Sequence, residues 1–358
     1  MRIKKLMVPA IILGVIISIV HPLPAGAQEE QEESEVIYIP PEVKAELKKG
    51  MEHRTPRLDI PFVIFEHFYL PARENIHSIF LFKAKNENLD FTPPAAETEE
   101  EAEAQQPMEE SSLLVSDLNA FLWFDQLDGD YEKEVYIPFQ LQEEKDDYDP
   151  EEEPMYSAGY PLPPGKYLLS MAITSKDLQE IGTQYFEFEL PSPVDFQDDL
   201  DTTPVFFARD IQQMEAPETT TEIHKGFFTY SILRIEPVLE NVFAQGEHLD
   251  VFFYVFGAQP DPESNKFNLT ANYELVEDDE VIVRYAEASY DAPIISQPLP
   301  LERTVLIQKK KGEEIIEEKK ETRDVEPGEY TFIIQLQENV SGKSLEKNIK
   351  ISVVEEKE

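Results

Sequence analysis

From Leu58 onward the chain runs in short apolar stretches broken by Pro, Gly, Asn and Asp, and apolar residues hardly ever recur every three or four positions. That texture predicts strands and turns, not helices. The expected strands are 61–70, 78–85, 116–127, 134–141, 167–175 and 183–190 in the first half. In the second half they are 227–235, 249–256, 267–276, 281–287, 304–308, 330–337 and 345–353. Along 249–256, Leu249, Val251, Phe253 and Val255 alternate with Asp250, Phe252, Tyr254 and Phe256. A strand that is apolar on nearly both sides is expected at the centre of its sheet. Asp128-Gly129 predicts a two-residue hairpin turn with positive φ at both positions, and the loop 338–344 is expected to join the last two strands.

A weak repeat groups these strands. Leu162-Pro163-Pro164-Gly165-Lys166-Tyr167 and Val325-Glu326-Pro327-Gly328-Glu329-Tyr330 each lead into an alternating strand, a polar turn and a closing strand. Pro-Gly sets the turn, and the Tyr two residues on is placed where a tyrosine corner ties its hydroxyl to upstream backbone. The reading is all-β: two tandem immunoglobulin-like or fibronectin III-like antiparallel sandwiches, residues 58–191 and 205–358. The Pro- and Asp-rich segment 192–204 is the expected linker. Residues 28–57 read as an acidic linker with one short helix, 42–51, that Gly50 would end.

The first residues change the picture of where the protein works. Arg2, Lys4 and Lys5 precede an apolar run from Leu6 to Val20, then Pro22, Pro24 and Ala25-Gly26-Ala27. This is the layout of a cleavable secretory signal, 1–27. The apolar run is shorter than the roughly 20 residues of a spanning helix, so no stable membrane insertion is expected after cleavage. The chain contains no Cys, which removes both a lipid anchor and a disulfide framework. The expected location is periplasmic or extracellular.

The net charge is −42, and loss of the three signal-peptide cations makes it −45. A field of that sign repels nucleic acid and anionic lipid. Much of the charge is local, in 97–110 and 143–153, which read as solvated acidic loops within the broader insertions 92–112 and 142–155.

The chain offers little recognisable chemistry. Without Cys, and without a Gly-x-Ser-x-Gly elbow, a nucleophile is not apparent. His53, His67, His77, His224 and His248 show no metalloprotease spacing. His67 and His77, with Glu66, could meet across adjacent strands, but a pair of surface histidines in a hairpin is the simpler expectation. Asp125, Asp128 and Asp130 resemble half of a calcium loop, yet they lack its spacing and its terminal Glu, so a turn is expected. The thirteen glycines form no phosphate-binding loop. No catalytic, cofactor or metal residue is assigned, and Asn268 and Asn339 in their sequons are given no role.

The segment 162–167 with Ile181-Gly182-Thr183, and the segment 242–247 followed by 251–257, Asp261-Pro262 and 326–330, resemble modules of exported bacterial β-sandwich proteins related to the GWxTD-domain and von Willebrand A-like families. The Gly-Trp-x-Thr-Asp segment itself is absent, and the single Trp is Trp123. The resemblance implies a fold and a compartment. The expected function is a non-catalytic protein-interaction or structural module contacting another envelope or secreted protein. The alternatives are a carbohydrate-binding module with exposed aromatics or an enzyme with a dispersed carboxylate site.

Overall fold

Alternation along residues 113–126 sends Leu118, Ala120, Leu122 and Phe124 to one side and Phe121 and Trp123 to the other, and both sides are buried. A strand covered on both faces belongs to a stack of layers. That arrangement runs through the whole molecule.

A computed structural model describes residues 39–94, 112–196, 198–311 and 314–355. The expected signal peptide and the acidic stretch 97–110 lie outside the described residues. Helix α1 (Pro41–Met51) is followed by β1 (Val63–Ala72), β2 (Asn75–Lys83), β3 (Leu113–Gln126), β4 (Glu132–Glu144), β5 (Met155–Leu162), β6 (Gly165–Ser175) and β7 (Ile181–Leu190). Then come β8 (Asp201–Thr202), β9 (Phe206–Gln213), β10 (Ile223–Lys225), β11 (Phe228–Tyr230), β12 (Leu233–Pro237), β13 (Val242–Ala244) and β14 (His248–Phe256). The chain continues through β15 (Leu269–Glu277), β16 (Glu280–Arg284), β17 (Ala288–Tyr290), β18 (Ile294–Pro300), β19 (Glu302–Lys311), β20 (Glu314–Asp324), β21 (Gly328–Glu338) and β22 (Ser344–Val354).

The protein is an all-β sandwich fold in which four sheets stack in order. Sheet β4-β3-β6-β7 faces sheet β1-β2-β5-β10 across a core of Phe80, Phe82, Phe124, Tyr156 and Tyr167. Sheet β11-β12-β9-β14-β18, with β8 also on β14, faces sheet β13-β22-β21-β15-β16 across Phe207, Phe243, Phe253, Tyr273 and Phe332. A third core joins the two inner sheets. Phe68, Leu70, Ile79, Leu81 and Met155 from one meet Phe206, Phe228, Ile235 and Phe252 from the other, with Phe68 and Phe206 rings 4.9 Å apart. Ile37–Glu358 groups as one compact unit. The pairing is antiparallel except between β13 and β22, which run parallel.

β14 is central as its pattern predicts, with β18 on one side and β9 and β8 along the other. Val251 and Phe253 enter one core while Phe252 enters the next. Other expectations need correction. Residues 227–235 are not one strand, because Ser231 adopts φ 55° and folds the segment into the hairpin β11-β12. β5, β9, β18 and β20, and the short β8, β10, β13 and β17, were not anticipated. The two prolines of β18 are tolerated because that strand is the sheet edge.

The hairpin at Asp128-Gly129 exists without the tight turn. Neither residue has positive φ. The last strand pair is Asp125 with Glu132, the Gln126 amide donates to the Tyr131 carbonyl at 2.9 Å, and Asp128 Oδ1 accepts from the Lys166 amide at 3.0 Å. A longer loop is thereby fastened to the neighbouring strand. The acidic segment 143–153 is also less free than its charge suggests. It is tethered through the buried Asn86, whose amide donates to the Glu152 carbonyl at 3.0 Å and whose side chain donates to the Asp149 carbonyl at 2.9 Å.

Helix α1 packs onto the outer face of the first sheet through Val43 and Leu47 against Phe121, Trp123, Ala172 and Ile181. Gly50 lies within the helix and does not end it. Tyr185 approaches it so closely that a Cβ would collide with the phenol, and the Tyr185 hydroxyl donates to the Leu47 carbonyl at 2.9 Å. Lys44 sits 4.7 Å from the Trp123 ring centroid and is paired with Glu134.

The loop between β21 and β22 turns on Glu338, a fully buried carboxylate that accepts from the Val340 amide at 2.7 Å, the Ser341 amide at 2.8 Å and the Ser341 hydroxyl. Burial alone would raise its pKa. The Ser341 and Val340 hydrogen bonds and the charge of Lys343 outweigh that and hold it below the usual value.

Both corner tyrosines make the same bond. Tyr167 Oη donates to the Pro163 carbonyl at 2.9 Å and Tyr330 Oη to the Glu326 carbonyl at 2.7 Å, each four residues upstream. Both rings are buried. Removing either hydroxyl deletes a part-buried hydrogen bond at the corner, so Tyr167→Phe and Tyr330→Phe are each expected to lower stability by about 1 kcal/mol. Urea unfolding measures this, and two unchanged midpoints would show that the corners contribute nothing.

Candidate functional site

The two histidines in the first hairpin do not form a pair. β1 pairs with β2 so that His67 stands opposite Phe80 and Leu70 opposite His77. Side chains alternate across a strand, so the two imidazoles point to opposite faces of the sheet. Stacked 4.7 Å from Phe80, the His67 ring also lies 4.7 Å from Phe188, and its Nε2 is 3.4 Å from Ser78 Oγ. Burial pushes its pKa down to about 3.

His77 turns the other way and lines a cavity of about 330 Å³ at the seam between the two inner sheets. Clefts where layers meet are preferred places for binding. Burial lowers the pKa of His77, against a hydrogen bond to the Thr229 backbone and the charge of Glu218. Its Nε2 passes close over Gly159, and a Cβ there would lie 2.7 Å from it. Only glycine at 159 lets the ring lie in this position.

The second half of the chain supplies the opposite wall. After β9 the loop 214–222 returns to the first sheet, where β10 pairs with β5 and sets His224 opposite Ser157. Alternation then sends Lys225 toward Glu143 on β4, with which it forms an ion pair. His224 faces the cavity. The residue is 9 % exposed, its ring stacks on Phe227 at 4.6 Å, and the Arg234 guanidinium lies 4.0 Å from the Phe227 ring centroid. His224 Nε2 stands 3.1 Å from Glu218 Oε2, which also accepts from Thr229 Oγ1 at 2.7 Å. Glu222 Oε1 accepts from Thr220 Oγ1 at 3.1 Å. One ligand atom from each of Glu218, Glu222 and His224 lies within 4.8 Å of the others, the one such group among the described residues.

Asp125, Asp128 and Asp130 do not belong to this group. The sequon residues Asn268 and Asn339 meet instead of standing apart, Asn339 Nδ2 donating to Asn268 Oδ1 at 3.0 Å and to Thr270 Oγ1 at 2.9 Å.

A second feature projects from the opposite half. β19 and β20 pair only with each other among the described residues, in a ribbon that begins beyond the buried Leu301 and ends before the buried Val325. Leu306 and Ile307 are exposed on it, at 47 % and 36 %. Among the described residues the one aromatic side chain exposed to a similar degree is Tyr136, and its ring is stacked on Phe121. No helix among the described residues is long and apolar enough to cross a membrane. No protein-family model matches the chain, and no curated protein matches it in sequence.

The depressed pKa of His67 gives an acid-stability signature. The unfolded chain takes up a proton below about 6.5 while the folded one stays neutral down to about 3. The contribution of the neutral ring is therefore complete above pH 6.5 and falls with pH through that window, by about 1.4 kcal/mol per pH unit. His67→Phe is expected to fold and to lose less stability than the wild type between pH 7 and pH 5, by at most about 2 kcal/mol. Urea titrations at the two pH values measure the difference, and identical losses would show that the ring is protonated in the folded state.

Proposed function

We propose that the protein is exported and acts without catalysis, binding another envelope or secreted protein through the β19-β20 ribbon. The observation that carries this reading is the ribbon itself. A two-stranded hairpin with no third strand is marginally stable alone. Among the described residues each of its strands keeps one unpaired edge, the kind of backbone surface to which an extended segment of a partner adds as a further strand. Val305, Leu306 and Ile307 supply apolar side chains beside that edge.

Charge supports the same choice. Residues 302–324 carry as many Lys and Arg as Asp and Glu, within a chain of net charge −42. A partner approaching the ribbon meets no excess of negative charge there, whereas elsewhere the acidic surface repels acidic proteins. The occupant this favours is an extended protein segment of mixed or mildly acidic charge. A carbohydrate platform would need several exposed coplanar aromatics, and Tyr136 alone does not make one. The N-terminal signal layout supports action outside the cytoplasm.

A photo-crosslinking residue placed at Leu306 is expected to give a discrete adduct in cells, while the same residue at the exposed Val194 gives none. Leu306→Glu with Ile307→Glu should abolish an adduct formed from a neighbouring ribbon position and leave the melting temperature unchanged. Equal labelling from both sites, or an adduct that survives the double substitution, would remove the ribbon from the contact.

A further inference from the structure

We propose that Glu218, Glu222 and His224 bind a divalent transition-metal ion, with zinc the ion their chemistry suits best. The site is separate from the ribbon and does not rest on it. Zinc holds imidazole nitrogen and carboxylate oxygen at about 2.0–2.2 Å, so two ligands of one tetrahedral ion stand about 3.3–3.6 Å apart. Three ligand atoms within 4.8 Å of one another are thus within a small closing movement of a coordination shell. Calcium takes six to eight oxygens, about twice what this group offers, and magnesium keeps mostly water. An imidazole with two carboxylates favours a borderline ion such as zinc.

Each donor is held from behind. Thr229 fixes the Glu218 carboxylate and Thr220 that of Glu222, while Phe227 holds the His224 ring by stacking. Outer partners of this kind orient ligands and tune their affinity. A His–Glu pair that served only to fasten the loop 214–222 would need Glu218 and His224 alone. The Glu222 carboxylate, held by Thr220, nevertheless converges on the same point. The cavity beside them leaves room for water to complete the coordination, and His77 lines it as a second, half-buried imidazole. Because the ligands come from the loop and from β10, a bound ion would fasten the crossing segment onto the first sheet.

The test is calorimetric titration of the full chain with zinc chloride, in physiological salt with excess calcium and magnesium to occupy weak acidic sites. One ion per chain is expected, raising the melting temperature. His224→Ala should abolish that binding. Glu222→Gln, at an exposed position that keeps a side-chain oxygen for Thr220, should melt like the wild type without metal yet bind zinc at least about tenfold more weakly. Cobalt substitution should give a visible d–d absorption band in the wild type that Glu222→Gln diminishes. The proposal is overturned if Glu222→Gln binds zinc as tightly as the wild type. Failure of zinc to bind in that excess of calcium and magnesium would overturn it too, as would uptake spread over many weak sites equally in wild type and variants.

Discussion

The buried aromatic layer between the two inner sheets is the constraint from which the rest of the structure follows. Phe68, Phe206, Phe228 and Phe252 form it with the aliphatic residues around them. Because this layer exists, sheets β1-β2-β5-β10 and β11-β12-β9-β14-β18 must bury side chains on both faces, and β2 and β14 accordingly carry apolar residues on both. Two separate sandwiches would each leave one face of the inner sheet to water. The layer removes both faces from solvent at once, and burial of that kind has to supply the stability of a chain without disulfides. It also decides where a cleft can lie. The layer ends at the seam where the chain crosses back, and there the walls of the two sheets separate enough to admit polar side chains.

The parts of this plan that depend on local pattern were legible in the sequence. Tyr167 and Tyr330 sit at the corners their Pro-Gly turns mark, because the bond to a carbonyl four residues back is a local geometry. β14 announced its central place by being apolar on two sides. β5 did not, since Ser157, Ala158 and Gly159 carry too little apolar area to stand out, and Gly159 is there to admit the His77 ring. The hairpin β11-β12 was hidden for a different reason. Its turn at Ser231 uses a left-handed backbone at a residue that does not advertise one.

The candidate site was less legible still. Glu218, Glu222 and His224 lie in a Thr-rich loop and a three-residue strand, where no helical or hairpin spacing links them. What brings them together is the pairing of β10 with β5, a contact between distant parts of the chain. His67 and His77 show the converse. Their separation in sequence invited a pairing that strand alternation forbids, because one register position decides which face each ring occupies.

Charge separates the two surfaces that the fold exposes. A body of strongly negative net charge attracts divalent cations to its surface and raises their local concentration, while repelling nucleic acid and acidic partners. That long-range attraction is nonspecific and is screened within about 8 Å in physiological salt. Selection of an ion must therefore come from donors at contact distance. Only the group at His224 among the described residues adds a nitrogen donor to converging carboxylates. The contact proposed for the ribbon would work under the opposite requirement. A protein partner must come within the screening distance along an extended edge, and it can do so only where the acidic excess is locally cancelled. Balanced charge in 302–324 meets that condition, so the electrostatics that would gather cations to the body would not oppose the proposed protein contact at the ribbon.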